Sequence, residues 1–170
     1  AALPNRESAV PQPQSPYAAA KLAAEVMLLG YAASYGLETV CLRYFNVYGP
    51  RQSADSGYAA VIPAFAKKLS QGEPPVIYGD GTQTRDFTFV DDTVLATLEA
   101  GACKKVLTGE TFNVGTGRAT TIRELAALMA QRSGQAGVVP VLESARDGEV
   151  KESVADWSRA GETLGYQPLT

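Results

Sequence analysis

The chain has 170 residues, of which 45% are hydrophobic and 19% are charged, and its formal net charge is −3. This length fits one domain or one domain with a smaller lobe, and the composition is that of an ordinary globular protein. The acidic balance argues against a nucleic-acid surface, and no apolar stretch approaches the length of a membrane span, so we expect neither partner.

Cysteine and histidine usage narrows the possible chemistry. Cys41 and Cys103 are too few and too far apart in sequence to indicate a disulfide framework or a zinc site. Histidine is absent, which removes histidine-based triads and the commonest metal ligand. Residues 1–15 are polar and proline-rich, without the charged and apolar zones of a signal peptide. We therefore expect a cytoplasmic protein with two reduced thiols and no metal.

The first predicted elements are a long helix and a strand. Ser15 and Pro16 predict a helix start, because serine caps a helix and proline fits its first turn. The helix is predicted to run to about Tyr35 and to end at Gly36. Glu38–Tyr44 is apolar toward its centre and predicts a strand covered on both faces.

Helices and strands alternate along the rest of the chain. In order, we predict a loop over Asn46–Tyr58, a helix over Ala60–Gln71, strands over Pro75–Tyr78 and Asp86–Val90, a helix capped by Asp91 or Asp92, a strand over Thr111–Val114, a helix opened by the Thr121–Glu124 capping box, a strand over Val138–Leu142 and a short helix capped by Asp156. This alternation predicts the α/β class. A central parallel strand needs neighbours on both sides, and nothing before residue 38 supplies one, so we expect the second half of a larger fold.

Tyr17 and Lys21 form the first candidate site. Four residues apart, they share one face of the predicted helix. An ammonium beside a phenol favours the phenolate, which can take a proton from a sugar or alcohol hydroxyl. Such chemistry also needs a hydride acceptor. The alternative is an ordinary helix start with a surface tyrosine and a solvated lysine.

Three further motifs follow the predicted strands. Asn46 leaves the carboxyl end of the first strand, where ligands bind in open α/β sheets; the alternative is a turn-forming asparagine. Arg85 lies near the glycines of Gly79-Asp80-Gly81 and suits bidentate contact with phosphate; the alternative is a β-hairpin with an Arg85–Asp86 surface pair. Arg146 stands in Arg-Asp-Gly-Glu and could join Arg85 on one diphosphate, or it belongs to a solvated turn.

Val114-Gly115-Thr116-Gly117 superficially suggests a dinucleotide-binding loop. The sequence lacks the third glycine at the required place, and no acidic residue follows a second strand. We predict a turn before the helix that begins near Thr121.

The order and wording of the motifs resemble those of the extended short-chain dehydrogenase/reductase family, most closely the NAD-dependent UDP-hexose 4-epimerases. The resemblance rests on SPYAAAK, LRYFNVYGPRQ, VIPAF, IYGDGTQTRDF, FNVGTG and ARDGEVKESVAD, and it covers essentially the whole chain. It implies the C-terminal part of a Rossmann-type doubly wound sheet over residues 1–50 and a smaller nucleotide-sugar-binding lobe mainly over 51–170.

The resemblance also implies residue roles on the cofactor side. Tyr17 matches the catalytic base, and Lys21 matches its partner, which also bonds the nicotinamide ribose. Tyr44 and Phe45 match positions near the nicotinamide. In the implied reaction Tyr17 accepts the 4-hydroxyl proton of the sugar while the C4 hydride passes to NAD, and the keto sugar turns over before the hydride returns.

Seven residues are implied on the substrate side. Asn46 matches a contact of the substrate diphosphate, Val76 and Tyr78 match positions lining the uracil, and Arg85 and Arg146 match the arginines that grip the phosphates. Glu149 matches an acid near the uridine ribose. Ser153 matches a position beside the hexose where a small residue leaves room for an N-acetyl group.

The departures from the family pattern define the alternatives. The glycine-rich NAD loop and the catalytic Ser/Thr belong upstream of SPYAAAK and are not in these 170 residues. We therefore expect a truncated chain that is inactive alone, binds NAD doubtfully, and forms a homo-oligomer or pairs with an N-terminal half. The alternatives are a nucleotide-sugar dehydratase or decarboxylase, and a non-catalytic nucleotide-sugar-binding half-domain.

Overall fold

The computed structural model describes residues 3–55, 60–146 and 148–170. The end of the predicted loop over residues 46–58, and Asp147 of the Arg-Asp-Gly-Glu motif, lie outside these ranges. The elements are α1 (Pro16–Tyr35), β1 (Thr39–Tyr44), β2 (Asn46–Tyr48), α2 (Val61–Ser70), β3 (Val76–Tyr78), β4 (Thr84–Arg85), β5 (Phe87–Phe89), α3 (Val90–Gly101), β6 (Thr108–Val114), β7 (Thr120–Thr121), α4 (Ile122–Arg132), β8 (Val141–Glu143) and α5 (Ser158–Leu164).

Helix α1 begins and ends where the sequence predicts. Ser15 Oγ accepts a hydrogen bond from the Ala18 backbone N–H at 3.1 Å, and Pro16 occupies the first turn. Gly36 ends the helix in the left-handed conformation, with φ at 65°, and its N–H donates to the Ala32 carbonyl. A residue with a side chain would be strained at that φ, so glycine is required there.

Among the described residues, three of the four strand pairs are parallel, which confirms the predicted α/β class. β1 pairs with β6 in parallel, and the pairing places Cys41 beside Thr111 and Tyr44 beside Val114. The parallel neighbour of β1 therefore lies after it in the sequence. Within the described residues, β1 pairs along one edge only.

The predicted loop after β1 contains a strand. β2 pairs in parallel with β5, with Asn46 opposite Phe87 and Tyr48 opposite Phe89. Gly49 and Pro50 are strong turn signals, and they are the reason why the local sequence predicts a loop here. The strand exists because a partner distant in sequence supplies its hydrogen bonds, which local propensity does not register.

The hairpin alternative for residues 76–90 is wrong. β3 pairs in parallel with β8, and β4 pairs antiparallel with β7. The Gly79-Asp80-Gly81 turn therefore joins strands that have different partners. β8 also begins at Val141 rather than at the predicted residue 138.

Two of the three predicted aspartate and threonine caps need correction. The Thr121–Glu124 capping box is present in both directions, as predicted. α3 begins one residue before Asp91, with Phe89 as its cap, so Asp91 and Asp92 lie in its first turn. Asp156 bonds the N–H and hydroxyl of Ser158, although the cap position of α5 is Trp157.

Two apolar clusters hold the elements together. The first lies against β6 and contains Phe112, Val114 and Tyr166 at its centre, packed with α3 and α5. The second joins α2, β3 and α4 through Phe65, Ile77 and related side chains. The predicted domain boundary near residue 50 stays a prediction. The β1–β6 pairing crosses this boundary, because β1 precedes residue 50 and β6 follows it.

One face of α1 is apolar and exposed. Ala32 is its only buried residue among those described, whereas Met27 and Tyr31 are 61% and 47% exposed. The opposite face is tied to β1 through Glu25, which accepts two hydrogen bonds from Arg43 at 2.9 and 2.5 Å. The helix is therefore fixed in place while much of its apolar surface is uncovered.

Candidate active site

A cavity of about 340 Å³ is lined by residues of β2, β3 and α2. We call it the Arg85 cleft. Its polar rim contains Asn46, Gln83, Arg85, Arg146 and Glu149. Its apolar wall comes from β3, β5 and the first turns of α2 and α4, and includes Val76 and Tyr78.

Arg85 and Glu149 form the charged centre of the cleft. Arg85 Nη2 donates to Glu149 Oε1 at 3.1 Å, and Nη1 donates to the Thr84 carbonyl at 2.8 Å. The Arg85 side chain is only 14% exposed. Burial lowers the pKa of this guanidinium and the neighbouring Glu149 opposes the shift, while the group stays protonated at neutral pH. The cleft therefore contains a fixed, poorly solvated cation of the kind that favours phosphate.

A second cation lies at the rim of the cleft. Arg146 stacks its guanidinium over the Tyr78 ring, with Cζ 3.9 Å from the ring centroid. Arg146 is exposed, so solvent reaches the outer side of the guanidinium. The two arginines predicted to converge are thus brought to one cavity although they are distant in sequence.

The other predicted substrate residues lie around the same cavity. Asn46 and Val76 line it directly. Ser153 lines an adjoining cavity of about 380 Å³ together with Asn46, Arg85 and Glu149. Ser153 is half-buried and belongs to no strand. All seven substrate-side residues therefore border one continuous region, although their roles stay predictions.

Tyr17 and Lys21 lie outside both cavities. They share one face of α1 as the spacing predicts, with Lys21 Nζ 5.4 Å from the Tyr17 ring centroid. Tyr17 is 72% exposed. The arrangement gives the hydroxyl free access to a ligand, and no other described side chain orients it.

Tyr44 and Phe45 lie in the sequence between the Tyr17–Lys21 pair and Asn46, the first of the predicted substrate-side residues. The Phe45 backbone N–H donates to the Val114 carbonyl at 2.9 Å, which fixes the end of β1. The Tyr44 hydroxyl lies 2.8 Å from Thr97 Oγ1, and Thr97 itself donates to the Thr93 carbonyl. Tyr44 is therefore the donor, and its hydroxyl ties the end of β1 to Thr97 of α3.

The turn over residues 114–117 cannot hold a pyrophosphate. The backbone N–H groups of Thr116 and Gly117 already donate to the Asp86 carboxylate at 2.9 Å. A Cβ at Gly115 would lie 2.8 Å from Asp86 Oδ2, so the glycine is needed for this close approach. The cofactor-side roles of Tyr17, Lys21, Tyr44 and Phe45 stay predictions.

Two residues important to this region were not predicted. Gln83 Nε2 donates to the Tyr78 carbonyl at 2.8 Å and approaches Glu149 Oε1 at 3.4 Å. Asp86 is fully buried rather than part of a surface pair with Arg85. Both stand in the IYGDGTQTRDF motif, and membership of that motif was the available signal.

Helices that alternate with strands paired mainly in parallel define an α/β protein, and a cavity bordered by two arginines lies among these elements. The model of the NAD dependent epimerase/dehydratase family matches residues 2–115. The chain belongs to this family.

Its relatives include several epimerases. The chain is 42% identical over 167 residues to a UDP-glucose 4-epimerase of Mycolicibacterium smegmatis, covering 98% of the chain and 52% of the relative. A dTDP-glucose 4,6-dehydratase of an Actinoplanes species is 32% identical over 157 residues, covering 92% of the chain and 47% of that relative. The chain thus spans about half the length of the curated relatives it matches.

Solved structures agree with this assignment. The UDP-N-acetylglucosamine 4-epimerase of Methanobrevibacter ruminantium, in complex with UDP-N-acetylmuramic acid, superposes with a TM-score of 0.91 at 38% identity, over 98% of this chain and 52% of that one. Among the residues that the structure describes, no helix is long and apolar enough to cross a membrane.

Proposed function

We propose that this chain is the substrate-binding and proton-transferring half of a UDP-hexose 4-epimerase. The observation that carries the proposal is the convergence of Arg85, Arg146 and Asn46 on one cavity beside an apolar wall. Two cations suit a diphosphate, and an apolar wall with an aromatic ring suits a base. The epimerases among the relatives support this substrate class.

The cleft explains how a sugar could turn over while bound. Arg85 is anchored by Glu149 and by the Thr84 carbonyl, so it offers a preorganised phosphate contact. Tyr78 and Val76 would receive the base. Binding through the nucleotide leaves the hexose weakly held, and a 4-keto sugar can then present either face to the hydride.

Tyr17 would move the proton. Its exposed hydroxyl can accept the 4-hydroxyl proton of the sugar, and the ammonium of Lys21 favours the phenolate needed for that step. NAD, when bound, supplies the hydride acceptor. Tyr17 and Lys21 would meet the nicotinamide-ribose end of that cofactor, as the family resemblance implies.

A second candidate is nucleotide-sugar binding without catalysis. The observation that favours it is the occupation of the 114–117 turn by Asp86, which leaves this turn without free N–H groups for a pyrophosphate. Dehydratase or decarboxylase activity is a further alternative within the family, since relatives of both kinds match this chain.

The experiment compares the chain alone with the chain joined to a complementary NAD-binding half from the Mycolicibacterium smegmatis relative. We expect no interconversion of UDP-glucose and UDP-galactose by the chain alone, because no described residue can hold the NAD pyrophosphate. The joined protein should be active and should release NAD on denaturation. Tyr17→Phe should abolish turnover with UDP binding retained, whereas Tyr35→Phe on the same helix serves as the control.

Turnover by the chain alone would refute the expected inactivity. A joined protein that binds UDP and NAD but stays inactive would favour the non-catalytic alternative. Formation of a 4-keto-6-deoxy sugar or of carbon dioxide would instead identify a dehydratase or a decarboxylase.

A further inference from the structure

Residues 149–156, which we call the substrate segment, connect Glu149 and Ser153 to the last helix. We propose that Asp86 and Asn5 are positioning residues that clamp this segment from two sides and so preorganise the Arg85 cleft. The expected effect on nucleotide binding rests on the proposed function. The clamp itself rests only on hydrogen bonds among the described residues.

Asp86 forms one side of the clamp. Its fully buried carboxylate accepts four hydrogen bonds, from the Thr116 N–H at 2.9 Å, the Thr116 hydroxyl at 2.7 Å, the Gly117 N–H at 2.9 Å and the Ala155 N–H at 3.0 Å. A buried carboxylate with four donors is well satisfied as an anion. It ties the substrate segment to the 114–117 turn.

Asn5 forms the other side. Its side-chain oxygen accepts from the Val154 N–H at 3.1 Å, and its own N–H donates to the Val154 carbonyl at 2.7 Å. Its carbonyl accepts from the Asp156 N–H at 2.9 Å and from Asn113 Nδ2, also at 2.9 Å. Asn113 is buried, so the Asn5 bonds are anchored to β6.

The two sides meet on consecutive residues. Val154 is held by Asn5, and Ala155 is held by Asp86, so the backbone after Ser153 has hydrogen-bond partners on both sides. Near its start, the segment is joined to β4, because the Thr84 N–H donates to the Lys151 carbonyl at 2.8 Å. A shift of the substrate segment would break several buried hydrogen bonds together.

The clamp links the two halves of the cleft. Asp86 directly follows Arg85 in the sequence, and Arg85 bonds Glu149 at the opposite end of the substrate segment. One carboxylate therefore sets the distance between the strand that carries Arg85 and the segment that carries Glu149 and Ser153. Groups fixed before a ligand arrives lose little entropy on binding, so preorganisation raises affinity.

The test uses Asp86→Asn, with Asp92→Asn as its matched control. Asp92 is also a buried aspartate, but it accepts from the Leu169 N–H rather than from the substrate segment or the 114–117 turn. An amide at position 86 would present an NH₂ group to N–H donors. We expect Asp86→Asn to weaken UDP binding about tenfold or more, the size of one lost hydrogen bond to a charged group. Asp92→Asn should leave UDP affinity within about twofold of the original, since the hydrogen bond of Asp92 is made to Leu169 and not to the clamp.

Amide hydrogen exchange gives a readout that does not depend on a ligand. In Asp86→Asn, the amides of residues 149–156 should exchange faster, while those of β1 should not. If Asp86→Asn fails to fold, Asn5→Ala replaces it and should accelerate exchange in the same segment. Asn5→Asp, which keeps the accepting oxygen, should restore slow exchange.

The outcomes separate the two proposals. If the original chain does not bind UDP, the proposed function is wrong, and hydrogen exchange alone then decides on the clamp. If exchange in residues 149–156 is unchanged in Asp86→Asn or Asn5→Ala, the clamp is refuted. Equal losses of UDP affinity in Asp86→Asn and Asp92→Asn would show a general structural effect and would also refute it.

Discussion

Replacing Arg85 with methionine should separate phosphate recognition from base recognition. Methionine keeps an unbranched apolar stem in the 14%-exposed site but removes the cation. Hydrogen bonds to charged groups contribute about 1.5–3 kcal/mol each, and about 1.4 kcal/mol is a tenfold change in affinity. One lost phosphate contact should therefore weaken UDP binding roughly 10- to 140-fold.

Uridine provides the internal comparison because it has the base and ribose but no phosphate. Calorimetric titration should show a large loss for UDP and little change for uridine in Arg85→Met. The folded state should survive, since Glu149 is 27% exposed and water can partly replace its lost partner. Arg123→Met is the matched control, because this exposed arginine bonds the Asp80 carbonyl instead.

Equal losses for UDP and uridine would refute the reasoning, since they would mean that Arg85 shapes the cleft rather than contacts phosphate. An unchanged UDP affinity would remove Arg85 from the site altogether. A loss of similar size in Arg123→Met would attribute the effect to net charge.

Three further outcomes can be checked. The exposed apolar face of α1 should drive association, so light scattering should show a dimer or larger species, and Met27→Lys should shift it toward monomer; a stable monomer of the original chain would contradict this. In the protein joined to an NAD-binding half, Ser153→Tyr should lower kcat/KM for UDP-N-acetylglucosamine relative to UDP-glucose by about 10- to 200-fold, because the added ring fills the space that the N-acetyl group needs; an unchanged ratio would place Ser153 outside the sugar site. The Thr121 backbone N–H holds the pKa of Glu124 below its usual value of 4.5, so the stabilisation by Glu124 is complete above pH 4.5 and is lost as the pH falls through the lower folded pKa. Thermal unfolding of Glu124→Gln should accordingly depend less on pH below 4.5 than that of the original chain; parallel curves would show that this carboxylate does not contribute.

The sequence predicts well those features whose cause is local. The α1 boundaries follow from Ser15, Pro16 and Gly36, and the start of α4 follows from its capping box. The α/β class follows from the alternation of elements. The family follows from six motifs in order, because such a combination is far more specific than any of its members.

The sequence predicts poorly those features that depend on distant partners. β2 forms because β5 lies beside it, and β3 pairs with β8 instead of its neighbour in sequence. Asp86 looks like half of a surface pair with Arg85 until the 114–117 turn and Ala155 close around it. Asn46, Arg85 and Arg146 were candidates from their own motifs, and the resemblance added the remaining cavity residues Val76, Tyr78, Glu149 and Ser153. Gln83, which has no distinctive local pattern, was found only from its contacts.

Because Arg146 stacks on the Tyr78 ring, it competes with any ligand that would bind to the same face of that ring. A cation over an aromatic ring at the protein surface is stabilised by about 0.5–1 kcal/mol, and a ligand that came to lie on the same face of the half-buried Tyr78 ring would first have to displace the guanidinium. The measured affinity of such a ligand would then reflect the difference between its own stacking energy on Tyr78 and the stacking energy of Arg146. If the nucleotide binds as proposed, displacement by the base would leave the Arg146 guanidinium at the rim of the cavity, where its charge would be free to contact the phosphates.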